Sequence, residues 1–178
     1  MIPASLTVLA LVLAHTARAD DPLFPDEPPK QSSVRTMGSF GLGLGAGTST
    51  AGLSMKYFAR ETLALQGVVG AGYDSTTQGS WSTGLGAGAD LLFEMPSFAS
   101  LDDVEFGWSA GPGIGVSVTD NGPSLAVAGV VGLELGLLQV PMDIVLEYRP
   151  RMLLAPELGW DWFSLSGHIR WYFKRKHA

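Results

Sequence analysis

The chain has 178 residues, enough for one domain, with 23 Gly, 11 Pro and no Cys. The lack of Cys excludes a disulfide framework, a Cys-ligated zinc site and a lipid-modified N-terminal Cys. Hydrophobic residues make up 46% and charged residues 16%, too apolar for a disordered chain, and a formal net charge of -6 offers no basic footprint for nucleic acid.

Residues 1–19 read as a cleaved secretory signal peptide. Leu6 to Ala14 is a short apolar core, and Ala17-Arg18-Ala19 supplies small residues around the cleavage point, so Asp20 is the expected mature N-terminus. Residues 20–35 scatter Pro22, Pro25, Pro28 and Pro29 among acids and Ser. Such a stretch buries little apolar surface and is expected to stay extended as a linker.

From Thr36 the pattern changes to period two. Phe40, Leu42, Leu44 and Ala46 alternate with Ser39, Gly41, Gly43 and Gly45. Leu53-Met55-Tyr57 opposes Ser54-Lys56-Phe58, and Leu63 to Tyr73 opposes Ala64 to Gly70 in the same way. The split recurs from Leu85 to Glu94, Val104 to Gly111, Leu125 to Leu135, Asp143 to Arg149 and Phe163 to Phe173. Alternation of this kind marks strands with one apolar face, and eight of them are expected. Turn-forming clusters separate them, such as Thr119-Asp120-Asn121-Gly122-Pro123. Ser124 to Leu138 comes nearest to an apolar span, but Glu134 and three glycines argue for a strand rather than a transmembrane helix.

The second face is made of Gly, Ser and most of the strand charges, which cannot build the dry core of a soluble barrel. With that face lining a lumen and the apolar face meeting lipid, the pattern fits a transmembrane β-barrel. Lipid makes an open sheet edge costly, so the sheet must close. The expected fold is therefore all-β: an eight-stranded antiparallel up-and-down transmembrane β-barrel over residues 36–173, with a basic tail at 174–178. With both termini periplasmic, Tyr57, Phe93, Phe106, Trp171 and Phe173 fall at the periplasmic strand ends. Tyr73, Trp81 and Phe163 fall at the other rim, giving two interfacial girdles.

The last strand, Gly167-His168-Ile169-Arg170-Trp171-Tyr172-Phe173, carries a resemblance, as do Glu147-Tyr148-Arg149-Pro150 and Ala89-Asp90-Leu91-Leu92-Phe93. Over about Thr36 to Phe173 the chain resembles the small eight-stranded outer-membrane proteins of the OmpX and OmpA-transmembrane-domain type. It is most similar to a group of small outer-membrane barrels without an assigned activity. The resemblance implies a Gram-negative outer membrane and insertion by the barrel-assembly machinery through the last strand. Lys174 to Ala178 extend beyond the aromatic residue at which such a strand ends.

Parity sends Lys56, Asp90, Glu94, Glu105, Glu134, Glu147, Arg149, His168 and Arg170 into the middle and periplasmic half of the lumen. Opposite charges confined there should pair, because an unpaired buried charge is costly. One network is expected, with Arg149 and Arg170 facing Glu134, Glu147 or Glu94. The upper half is lined by Gly and Ser and leaves room for a shallow cavity. Pro112 and Pro150 are expected to mark bulges or strand ends near the outer rim, since Pro removes a ladder donor.

A structural or interaction role for a mostly closed barrel is the expected function, with no catalytic residues, no metal and no cofactor. The alternatives are a narrow pore for small solutes and a lipid-modifying enzyme. Eight strands leave little more than side-chain space, which disfavours the pore. An enzyme would have to use His168 with Ser164 or Ser166. Expected partners are outer-membrane lipid and the assembly machinery, with no nucleic acid and a monomeric state.

Overall fold

The computed structural model describes residues 33–75 and 81–173, and side chains except those of residues 73–75 and 81–82. The expected signal peptide, most of the expected linker and the basic tail lie outside the described residues.

Every alternating segment forms a strand. The strands are β1 (Phe40–Gly47), β2 (Thr50–Arg60), β3 (Leu63–Ser75), β4 (Trp81–Glu94), β5 (Ala99–Ser100) and β6 (Val104–Thr119). They continue with β7 (Gly122–Leu137), β8 (Met142–Tyr148), β9 (Arg151–Ala155), β10 (Gly159–Asp161) and β11 (Leu165–Phe173). All pairings are antiparallel. The ring runs β1-β2-β3-β4-β6-β7-β8-β11 and closes where β11 pairs with β1. This is a closed eight-stranded barrel, with β5 added as a short flap on β6.

The seventh and eighth staves are each built of two strands. β8 and β9 keep one register on β7, Val131 opposite Tyr148 and Ala128 opposite Arg151. Pro150 separates them without a donor, while its carbonyl accepts from the Gly129 amide at 3.0 Å. On the other side Tyr148 pairs with Leu165 but Arg151 pairs with Asp161. The extra residue is absorbed around Trp162 to Ser164, between β10 and β11.

Pro112 corrects an expectation. β6 runs through it with Pro112 opposite Gly129, in mid-strand and away from either end. Its missing donor lies on the β4 side, where pairing lapses between Asp90–Gly113 and Phe93–Ala110.

Burial is the reverse of a soluble domain's. Leu44, Leu85 and Leu133 point outward at 70%, 75% and 58% exposure, whereas Lys56, Glu147 and Arg170 point inward at 0%. The expected parity of the two faces therefore matches the arrangement of the barrel. The lumen is not wholly polar: Phe58, Ala64, Leu92, Val130 and Tyr172 share a buried cluster with Val34.

Val34 brings a second correction, to the boundary between linker and barrel. The last residues of the expected linker are packed into the barrel mouth at the end holding Phe40 and Phe173. Ser39 Oγ donates to the Val34 carbonyl at 2.6 Å, and the Gly38 amide donates to the Phe58 carbonyl at 2.8 Å. Gly38 has φ +83°, a left-handed conformation that glycine adopts without a Cβ penalty. That turn lets the segment enter the mouth before β1 begins. This end is called the terminal end below, and the opposite one the far end.

Candidate functional site

The candidate site is the lumen, because the charged side chains converge there. What makes room for them is β1. Gly41, Gly43, Gly45 and Gly47 stand opposite Tyr172, Arg170, His168 and Ser166 of β11. A Cβ on Gly41 would press on the Tyr172 ring at 2.7 Å, and one on Gly43 would overlap the Ile169 carbonyl oxygen. A Cβ on Gly45 would overlap His168 Nδ1. The alternating glycines thus give the bulky face of β11 space inside a narrow barrel.

Two charge clusters result, where one network was expected. The first lies near the terminal end. Lys56 Nζ contacts Glu134 at 2.6 Å and Glu94 at 2.7 Å, and it sits 5.0 Å from the centre of the Phe58 ring. Ser109 Oγ donates to Glu134 at 2.8 Å. Arg35, from the packed N-terminal segment, closes this cluster: one Nη lies 3.0 Å from Glu134 and 3.5 Å from Glu94, and the other donates to the Met95 carbonyl at 2.8 Å. Gly107 admits the guanidinium, since a Cβ there would collide with it.

The second cluster lies deeper. Arg149 makes a two-point contact with Asp90, at 2.6 and 2.9 Å, and a further one with Glu147 at 2.8 Å. Gln66 Nε2 donates to Asp90 at 3.1 Å and to Glu147 at 2.7 Å. Its carbonyl accepts from Arg170, which pairs in turn with Asp143. Tyr172 donates its hydroxyl to Asp143 at 2.7 Å. Low polarity makes such a set costly to assemble but costly to break, because each charge depends on its partner.

Each expected residue has a definite place. Lys56, Glu94 and Glu134 belong to the first cluster, and Asp90, Glu147, Arg149, His168 and Arg170 to the second. Glu105 belongs to neither. It stands at the start of β6 opposite Ser100 of β5 and accepts from Ser97, where the flap draws it away from the lumen centre. Of the two arginines expected to face Glu134, Glu147 or Glu94, Arg149 meets Glu147, whereas Arg170 meets Asp143 and Gln66.

His168 Nε2 lies 3.2 Å from Glu147, whose same oxygen accepts from Ser166 at 3.0 Å. Ser164 instead exchanges a 2.5 Å hydrogen bond with Thr48. Neither serine is hydrogen-bonded to His168, so the geometry holds no serine–histidine pair of the kind a nucleophile needs. Among the described residues, no group of three His, Asp or Glu side chains is placed to hold a metal ion.

No family model, no curated protein and no solved structure matches the chain.

Toward the far end the lumen opens into a cavity of about 70 Å³, walled by Ser117, Ser124, Ser164 and Ser166 above Arg149 and His168. It holds a few waters or one small group and is well below the roughly 300 Å³ of an ordinary small-molecule site.

On the outside, Phe40 pairs in register with both Tyr57 and Phe173, forming an exposed aromatic row at the terminal end. Phe93 and Trp171 are also exposed, and Phe106 rests half-buried against Phe98 with ring centres 6.2 Å apart. Phe163 is exposed toward the far end, while the Tyr73 and Trp81 side chains lie outside the described residues. Trp160 and Trp162 join Phe163 there, stacked at 4.9 Å with planes 7° apart. The alternation of Trp160 and Trp162 about Asp161 was the available signal for them. Asp143 had a signal too, since it shares a parity with Glu147. Arg35 had none, because it lies at the end of a proline-rich acidic run.

Proposed function

We propose that this chain is a small integral protein of a Gram-negative outer membrane, with a structural or interaction role and a salt-bridged, mostly closed lumen. The observation that carries the proposal is the inverted burial of its closed barrel. Ion pairs fill the interior while a continuous set of Leu, Val, Ile and aromatic side chains faces out. In water that exterior would be a large aggregation-prone surface. In a bilayer it is the expected lipid-facing band, with aromatics toward its edges.

Residues 1–19 direct secretion in this proposal, and Asp20 begins the mature chain. Both mature termini lie in the periplasm, and the assembly machinery inserts the barrel as a monomer. The two charge clusters make it a poor conduit, because paired side chains occupy the lumen. Lipid is the bulk partner, and no reaction is assigned to the chain.

Cell fractionation with intact-mass analysis tests the proposal. The expected result is a heat-modifiable species in the outer-membrane fraction whose mass begins at Asp20. Recovery as a soluble periplasmic or cytoplasmic protein would overturn the membrane assignment. Planar-bilayer recording should show no steady conductance, and stable open channels would favour the pore instead.

A further inference from the structure

The barrel wall is uneven at its far end. The β1–β2 hairpin turns at Thr48 and Ser49, and the last β2–β3 pair is Thr50 with Gly72. β3 nevertheless continues to Ser75, paired with Trp81 of β4. On the other flank β11 follows β1 only to Ser166 opposite Gly47, with one further bond from the Thr48 amide to the Leu165 carbonyl at 2.9 Å. The chain before it continues past that level as β10, which pairs only with β9. Above the short hairpin, residues 73–75 of β3 and 159–161 of β10 therefore border a notch, with no strand between them among the described residues.

The far-end cavity lies behind this notch, since Ser49, Thr50 and Ser164 are part of its lining. Arg149, Arg151 and His168 reach its lining, while the carboxylates of Asp90, Glu147 and Asp161 do not. Arg151 donates to Asp161 of β10 through Nε at 2.8 Å, which anchors at the notch a planar fork whose geometry matches carboxylate and phosphate. Serine hydroxyls supply neutral donors around it. Beside the notch, Trp160, Trp162 and Phe163 form an exposed apolar edge continuous with the outer band.

We propose that the cavity holds the anionic head of a single-chain membrane amphiphile, which enters sideways through the notch and leaves its tail against Trp160 and Phe163. The inference rests on the membrane assignment above. A cavity of about 70 Å³ suits a small head such as a phosphate or carboxylate. The ion pairs of Arg149 with Asp90 and Glu147 occupy the lumen below it, so the site is one of capture and not of passage.

The test uses the full-length mature protein in a neutral maltoside detergent, titrated with monododecyl phosphate and read by native mass spectrometry. One retained copy is expected. Arg151→Gln removes the guanidinium that lines the cavity, and Gly115→Leu fills the cavity at a position where a Cβ meets nothing nearer than 3.9 Å. Each variant should lower retention at least tenfold while keeping a heat-modifiable fold. Equal retention by both folded variants would overturn the proposal. So would retention of inorganic phosphate alone, or no retention by the wild type. Insertion of the wild type into phosphatidylcholine vesicles is scored separately. Insertion without retention removes only the ligand site, whereas failure to insert removes the membrane assignment and sideways entry with it.

Discussion

Arg170 and Asp143 stand directly opposite each other on β11 and β8 and are joined by two parallel bonds, Nε to Oδ1 at 3.0 Å and Nη2 to Oδ2 at 2.8 Å. Both are buried, and Tyr172 and Gln66 take up their remaining valences. Arg170→Met removes the cation and leaves Asp143 charged in a closed interior. The expected loss is about 3–5 kcal/mol. The double variant Arg170→Met with Asp143→Leu should recover most of it, because no lone charge remains. Denaturant titration of the four proteins in lipid vesicles gives the coupling directly, and additive losses would contradict it.

Val130 and Val131 are neighbours in β7 with opposite surroundings, 1% and 48% exposed. In a bilayer Val131→Lys places an ammonium among lipid chains and should cost about 2–4 kcal/mol near the midplane. Val130→Thr keeps the volume and puts a hydroxyl in the lumen beside Gly113, where the Asp90 carboxylate also lies. With that acceptor near, its cost should stay below the roughly 1–3 kcal/mol of an unsatisfied buried hydroxyl. Reversible unfolding in vesicles compares the two. A harmless Val131→Lys would leave the lipid-facing assignment without support.

The glycines of β1 are not equivalent to those elsewhere. An alanine at Gly43 would drive its Cβ into the backbone of Ile169 and Arg170, which cannot swing aside. Gly43→Ala should therefore reach or exceed the roughly 3 kcal/mol upper range for overpacking. Gly115→Ala meets only the Ala87 carbonyl at 3.9 Å and should be neutral or stabilising by about 0.4–1 kcal/mol. Midpoints from urea titration separate these outcomes.

Arg35 reaches the lumen from the segment that precedes β1. Arg35→Ala deprives Glu134 of a charged donor and should cost about 1.5–3 kcal/mol. Arg35→Lys should recover only part, because one ammonium cannot match the separate contacts of the guanidinium fork with Met95 and Glu134. Thermal melts of the three proteins in one detergent check the order.

The barrel itself was legible because period-two alternation follows directly from strand geometry, and eight alternating segments became eight staves. Phe58, Leu92 and Val130 were visible as apolar residues on the polar parity, yet parity alone does not say that they meet as a cluster with Val34. Pairing was less legible than direction. Arg170 could be sent inward from its alternation, but choosing Asp143 over a glutamate required the register of β8 against β11. Glu105 had the right parity and the wrong height, because the β5 flap is encoded by the 95–103 connection and not by alternation. Arg35 was hidden for a different reason: composition predicts whether a stretch can fold alone, not whether its last residues fit a mouth made elsewhere.

The glycine stripe of β1 also bears on the order in which the molecule is completed. The residues that occupy its vacant face, Ser166, His168, Arg170 and Tyr172, are among the last to be synthesised. Until they arrive, the first strand lacks its closing neighbour, and Asp143 and Glu147 lack partners that only β11 brings. A chain cut short before β11 is thus both unsealed and unfilled. One final segment delivers the wall and its ballast together, so a prematurely ended chain has no halfway product that resembles the finished one.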